Sequence, residues 1–287
     1  MFGAFMYCYA GLGSTASYVV GNILKAQNIG SLYTIGLAYG IGVVLALVVA
    51  GGTSGGHFHP AITVYAVLFR GMPAAKGARY IVAQIFGAYL TCLLIYLQWK
   101  TLILEAEETL VAAGQYDAIQ FTPNGPAGIF ALYAMPSASL GIVWINEFVC
   151  DFTIGLVIFA ADDVTNFISS PVSKPFIIGL TYSMAIWGYS PLGLAANTAR
   201  DVGGRLAAMT IWGLKASGGR YAAIASLTNI PATLFAYAVY EIVLKDSSRV
   251  VTTARREELA GHLAHMEHCE GVSVRTESLD SNEKDSV

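Results

Sequence analysis

The sequence predicts an all-α membrane protein: six transmembrane helices and two re-entrant half-helices arranged as an inverted repeat. Three observations carry that expectation. The 287 residues are 55% hydrophobic and only 12% charged, with a mean hydropathy of +0.57, too apolar for an ordinary water-soluble domain. Apolar runs long enough to cross about 30 Å of hydrocarbon occur near 1–24, 33–50, 78–99, 138–160, 176–189 and 221–244, the fifth gaining length from its flanks. Two shorter Gly-rich stretches, Gly51 to Val64 (GGTSGGHFHPAITV) and Gly188 to Leu206 (GYSPLGLAANTARDVGGRL), interrupt the pattern in corresponding places of the halves 1–100 and 138–244.

The first run is longer than a signal-peptide core and has no basic lead-in, so it reads as a span. Its Gly11-Leu12-Gly13-Ser14 is no nucleotide loop, because no GK[ST] follows; like the Gly36/Gly40 pair of the second run, it lets spans pack closely. Neither Gly-rich stretch is long enough to cross a membrane. Pro60 suits a first helical turn, where its missing N–H is not needed, and Asn197 is a good N-cap for orphan amides. Each stretch therefore opens a half-helix. Three spans separate them, an odd number, so the half-helices enter from opposite sides and their N-termini meet near the midplane. Irregular backbone at that depth is tolerated where it lines a water-filled path. A pore is implied.

Basic residues set the expected orientation. Arg70, Lys76 and Arg79 follow the second span, Lys174 the fourth, and Lys245, Arg249, Arg255 and Arg256 the sixth, which places those segments in the cytoplasm. The connection from 100 to 137 carries Glu105, Glu107, Glu108 and Asp117 and fits the outside. Both termini are then cytoplasmic. The polar tail, 245–287, reads as disordered, with one short amphipathic helix over RREELAGHLAHM (255–266) as the competing reading. Cys8, Cys92, Cys150 and Cys269 lack metal-ligand spacing, and three lie in apolar runs as buried thiols. The net charge of -3 gathers on no one face, and no nucleic-acid partner, metal or cofactor is expected.

With His59-Pro60-Ala61 and Asn197-Thr198-Ala199 in two matching positions, the chain resembles the aquaporin and glycerol-facilitator family over about 1–244. The Asp directly after Arg200, with Gly203 and Arg205 beyond it, resembles the aquaglyceroporin branch, as do Glu147 in span four and Ala161-Asp162-Asp163 at its exit. The resemblance implies a homotetramer in a lipid bilayer, most simply the plasma membrane. It implies passive passage of glycerol and other small uncharged solutes with some water, and no reaction catalysed. The alternatives are a water-dominated or gated channel of the same fold, a secondary transporter, which would need intramembrane groups for a coupling ion, and an adhesion or junction protein. In the family a Glu opens span one; counting back from Gly11 and Gly13 puts it just before Met1. The reading frame is therefore expected to extend upstream, or this form to fold less well.

The filter is also legible from the residues. With Asn197 at the midplane and its half-helix running outward, Arg200 lies about 4.5 Å nearer the outside, at ~1.5 Å per residue, and Tyr39 can face it from the second span. The resemblance adds Ala185 and Leu194, for a constriction of Tyr39, Ala185, Leu194 and Arg200. Arg200 would offer donors to a hydroxyl and repel cations, while Tyr39 and Leu194 supply an apolar wall for a carbon backbone. Ala185 stands where water-selective members narrow the pore with His. An intramembrane Arg is costly unless it faces a cavity.

Thr198 replaces the family's Pro and adds a hydroxyl that can bond nearby backbone. His59 replaces Asn. Its ring is either a pH-sensitive narrow point or a neutral substitute held by neighbouring backbone. His57 reads as a structural hydrogen-bonding residue, and Asp201 and Arg205, at i and i+4, as an ion pair orienting their half-helix. Glu147 and Asp151 share that spacing; the resemblance makes Glu147 a holder of loop backbone, against a proton relay as the other reading.

Overall fold

The computed structural model describes residues 1–245 and, in the tail, 251, 253, 256, 257, 260, 261, 263 and 264. Every regular element among them is helical. The described residues of the 255–266 stretch are helical, and the rest of the tail, Cys269 included, lies outside the described residues.

Helix α1 (Phe2–Ile23) leads to α2 (Leu32–Ser54), which begins in a reciprocal capping box between Ser31 and Thr34. Gly55 and Gly56 end α2 with consecutive positive φ angles of 73° and 68°. Their amides return to the Gly51 and Ala50 carbonyls, a left-handed stop that glycine makes without a Cβ clash. The chain can then reverse into α3 (Pro60–Phe69), a helix of 10 residues and about 15 Å. The second half repeats this logic. Helix α6 (Leu140–Asp162) and α7 (Ser173–Tyr189) are followed by a 3-10 turn, Ser190–Leu192, and by the second half-helix, α8 (Thr198–Trp212).

Between the halves, α4 (Ala74–Ala112) has 39 residues, about 58 Å at 1.5 Å each, nearly twice the span expected at 78–99. The segment from 100 to 112 is therefore helix and not open connection. Its Leu, Glu and Ala residues are good helix formers, and Ile103, Ala106 and Leu110 on one face are buried. Glu107 Oε1 accepts from Trp212 Nε1 at 2.7 Å and Gln120 Nε2 at 2.8 Å, tying the extension to α8 and to the turn after α5 (Tyr116–Ile119). The last crossing is α9 (Tyr221–Leu227) and α10 (Asn229–Val239), closed by a π turn, Tyr240–Leu244. Pro231 interrupts it by removing the N–H that Leu227 would accept.

Helices α2, α4, α6 and the 221–244 segment are long and apolar enough to cross a membrane. Helix α1 has the length, but Ser, Thr, Gly and Tyr lower its hydropathy; α7 has only 17 residues. Both pack along α2. Large apolar side chains such as Val48, Val82 and Leu97 point outward, a surface suited to hydrocarbon. Close packing of α2 on α7 rests on glycine: a Cβ on Gly179 would lie 2.5 Å from the Gly40 carbonyl oxygen, and one on Gly40 would lie 2.8 Å from that of Gly179. Ser183 Oγ donates to the Gly36 carbonyl at 2.8 Å in the same seam.

Gly179→Ala should therefore push α2 and α7 apart, at a cost of about 2–3 kcal/mol. Gly188→Ala, in the same helix where a Cβ meets nothing within 4 Å, should be neutral or slightly stabilising. Thermal unfolding of the two detergent-solubilised variants checks the contrast; equal midpoints would remove the glycine seam from the account.

Candidate functional site

The two half-helices meet end to end, and each is capped by the residue that the sequence singles out. Asn197 Oδ1 accepts from the Ala199 and Arg200 amides at 2.9 and 3.2 Å, and its Nδ2 donates to the Phe58 carbonyl at 3.0 Å. His59 does the same with a ring. Its Nδ1 accepts from the Ala61 amide at 3.1 Å, so Nε2 carries the hydrogen and donates to the Ala196 carbonyl at 2.8 Å. Each cap thus satisfies its own helix and also bonds the carbonyl immediately before the other cap. Of the two readings of His59, the geometry fits the neutral substitute held by backbone, because an imidazolium has no lone pair for the Ala61 amide.

Ala196, the carbonyl partner of His59, has φ of +55°, a conformation that costs a residue with a Cβ about 1–2 kcal/mol. Both of its backbone groups are held. Glu147, fully buried in α6, accepts from the Ala196 amide through Oε1 and the Ala195 amide through Oε2, each at 2.7 Å. Asn146 Nδ2 donates to the Gly193 and Tyr189 carbonyls at 2.8 and 3.2 Å. Glu147 therefore holds the loop before α8. The relay reading of Asp151 gains nothing from the cavities, because Asp151 lines neither of the two described below.

Thr198 donates through Oγ1 to the Asn229 side chain of α10 at 2.7 Å, so its hydroxyl serves a side chain where a bond to backbone was expected. Pro60 is the first residue of α3, and Ala61 and Ala199 supply the capped amides. Arg205 Nη2 lies 2.5 Å from Asp201 Oδ1, and the guanidinium also donates to the Ser217 and Leu132 carbonyls, anchoring α8 to two loops. On the other side the His57 carbonyl accepts from Gln84 Nε2 at 3.0 Å, while its ring meets Thr63 Oγ1 at 3.4 Å.

Tyr39, Ala185, Leu194 and Arg200 are brought together around one cavity of about 370 Å³. Arg200 is 4% exposed; its Nε donates to the Tyr39 hydroxyl at 3.1 Å and its Nη1 to the Phe130 carbonyl at 2.6 Å. Tyr39 is thus more than the expected apolar wall. Its ring lies against Gly11, where a Cβ would come within 2.2 Å of it. A second cavity, about 290 Å³, is lined by His57, Phe58 and His59 and by the Asp162–Lys174 ion pair. The caps stand between the two, since His59 lines one and Ala196 the other.

Residues 1–216 match the family described as major intrinsic protein. The chain belongs to that family. It is 50% identical over 286 residues to Aquaporin-3 of Laccaria bicolor, covering 98% of this chain and 87% of that one. It is 32% identical over 193 residues to the glycerol uptake facilitator protein of Pseudomonas aeruginosa, covering 66% and 67%. Its fold matches the X-ray structure of the aquaglyceroporin from Plasmodium falciparum with a TM-score of 0.70 at 20% identity, over 85% of this chain and 93% of that one. As a major intrinsic protein it is a passive membrane channel and not an enzyme.

Sequence reasoning missed Gln84, Asn146 and Asn229, the supports of this channel's motifs. The signal was present, since each is a carboxamide inside an apolar run, and a buried amide needs partners.

Glu147→Gln leaves one oxygen to serve two amides and turns an NH₂ on the second. It should cost about 2–4 kcal/mol and abolish conduction. Asp151→Asn, which leaves both loop amides on Glu147, should cost less than about 1 kcal/mol. Thermal midpoints of purified variants, beside solute flux in proteoliposomes, measure both.

Proposed function

We propose that this channel passes glycerol and similar small neutral solutes, with some water, through a constriction formed by Tyr39, Ala185, Leu194 and Arg200. The observation that carries the reading is the arrangement around Arg200. Two of its donors are committed to Tyr39 and Phe130, so the guanidinium is fixed in place with Nη2 left for a passing hydroxyl. Ala185 contributes only a methyl group to the same wall, and Leu194 an apolar surface. A three-carbon polyol can place hydroxyls on the Arg200 side and carbons on the other. Beyond the constriction, the positive ends of α3 and α8 face each other and, with Arg200, oppose protons and cations.

The name of the Pseudomonas aeruginosa relative supports glycerol, while that of the Laccaria bicolor relative favours a second reading, a water-dominated pore. A coupled transporter finds less support, because Asp162, the carboxylate in the His57-side cavity, is already paired with Lys174. The working assembly in this proposal is a homotetramer in the plasma membrane, with both termini in the cytoplasm and the Arg200-side cavity facing out.

Stopped-flow light scattering on proteoliposomes, with water, glycerol and urea side by side, tests the proposal. Glycerol flux well above that of empty liposomes and linear with its gradient is expected; water flux alone would leave the water-dominated reading. Ala185→His should narrow the constriction and put a polar ring on the wall that carbons need, lowering glycerol flux by about tenfold, or roughly 1.4 kcal/mol of barrier, and water flux by less. Proportional losses would remove Ala185 from the filter.

His59→Asn should conduct as the wild type does, since an amide supplies the same acceptor and donor. His59→Ala, which loses the cap and the cross-link together, should be destabilised by about 2–3 kcal/mol. Because the neutral ring already uses both nitrogens, wild-type flux should stay flat as the medium is acidified to about pH 5.5. A reversible acid block that His59→Asn abolishes would restore the pH-sensitive reading.

A further inference from the structure

A third cavity, of about 410 Å³, lies beside the Arg200-side cavity and shares Tyr133, Met135 and Tyr221 with it as a common wall. It is lined by Lys215 and Arg220, and by no Asp or Glu. Among the described residues neither basic side chain has an ion-pair or hydrogen-bond partner. The Asp201 carboxylate, beneath the same loop, is already taken by Arg205. Two like charges on one pocket repel each other. The pocket lacks its counter-charge.

The backbone adds donors to the same wall. Gly219 is left-handed, with φ of 58°, and Arg220 returns to the right-handed region at φ −64° and ψ −28°. That succession turns neighbouring amides into one concavity, a geometry that holds anions. The amides of Gly219, Arg220 and Tyr221 donate to none of the described residues. The preceding turn is anchored from beneath, because Arg205 Nη1 donates to the Ser217 carbonyl and the Tyr133 hydroxyl to the Ala216 carbonyl, each at 2.9 Å. The donors are therefore held in place before any ligand arrives.

We propose that this pocket is a phosphate site, with Lys215, Arg220 and the Gly219 to Tyr221 amides as its donors. A phosphate group brings the missing negative charge and several acceptor oxygens at once. Leu140 and Tyr221, both on the wall, begin two segments long enough to cross a membrane, and Leu214, beside Lys215, is 82% exposed. The pocket thus lies at the end of the hydrocarbon span, at the level of lipid headgroups. The phosphate can arrive as the phosphodiester of a lipid or as the free anion, and the chemistry of the site is the same for both. The site is separate from the constriction and does not depend on which solute passes it.

The test uses the purified full chain in two arms, comparing wild type with a variant carrying both Lys215→Gln and Arg220→Gln. In the first, the thermal midpoint is followed as inorganic phosphate replaces chloride at fixed ionic strength, because salt alone screens exposed charges. In the second, native mass spectrometry measures how much phosphatidylglycerol stays bound after detergent extraction. Wild type should show a saturable rise in midpoint, retained lipid, or both; the double variant should need about tenfold more phosphate and keep less lipid. A response to phosphate alone assigns the free anion, and retention of lipid alone assigns the headgroup. Lys25→Gln, which removes a charge elsewhere, should behave as wild type in both arms. Both side chains of the double variant are exposed, so its midpoint without phosphate should be unchanged. Wild type and double variant alike in both arms, or an equal loss in Lys25→Gln, would overturn the proposal.

Discussion

Two helix N-termini facing each other inside a membrane are mutually repulsive and present a set of amides without partners. The reciprocal bonds that join them, His59 to the Ala196 carbonyl and Asn197 to the Phe58 carbonyl, are the constraint on which the rest of this structure depends. Each bond fixes the distance between the half-helices while the same side chain caps its own helix. Loss of either would leave a backbone carbonyl, that of Ala196 or of Phe58, without its side-chain donor and would free the two half-helix ends to move apart. The Gly55-Gly56 reversal and the left-handed Ala196 deliver the two chains to this meeting point in the required direction.

The supports are uneven between the halves, although the topology is repeated. The α8 side is clamped by charged groups: Glu147 on two amides, Arg205 on Asp201 and two loop carbonyls, and Arg200 between Tyr39 and Phe130. On the α3 side neutral groups serve, with Gln84 bonding the His57 carbonyl and the Thr63 hydroxyl. The charged half also carries Arg200, on the wall of the cavity proposed as the pore. Its guanidinium is fixed by Tyr39 and Phe130, and charge-assisted hydrogen bonds hold geometry more firmly than neutral ones.

The substitutions at the motifs show that hydrogen-bonding role, and not residue identity, is what the position requires. His59 can stand for Asn because imidazole in one tautomer offers the same acceptor and donor, at a somewhat longer reach. Thr198 can stand for Pro because its hydroxyl finds Asn229 on α10, exchanging a pre-set backbone angle for a tie to a neighbouring helix. Neither change disturbs the caps.

By itself the sequence determined the topology. Six apolar runs, two Gly-rich breaks, and an odd number of crossings between His59 and Asn197 leave one way for the half-helices to meet, since hydrophobic length and backbone satisfaction in hydrocarbon are properties of local composition. Arg200, Glu147 and Arg205 stood out for the same reason, since an ionised side chain in an apolar run must have a partner, whereas Ala185 and Leu194 were named only through the family resemblance. What only the tertiary structure decided was which partner. The extension of α4 to Ala112 depends on a face buried beneath a distant turn, and the seating of Arg200 on the Tyr39 hydroxyl and the Phe130 carbonyl, which arrive from other parts of the chain. The tautomer of His59 depends on the Ala196 carbonyl, 137 residues away. Such contacts join positions remote in the chain, and no local pattern encodes a distance between them.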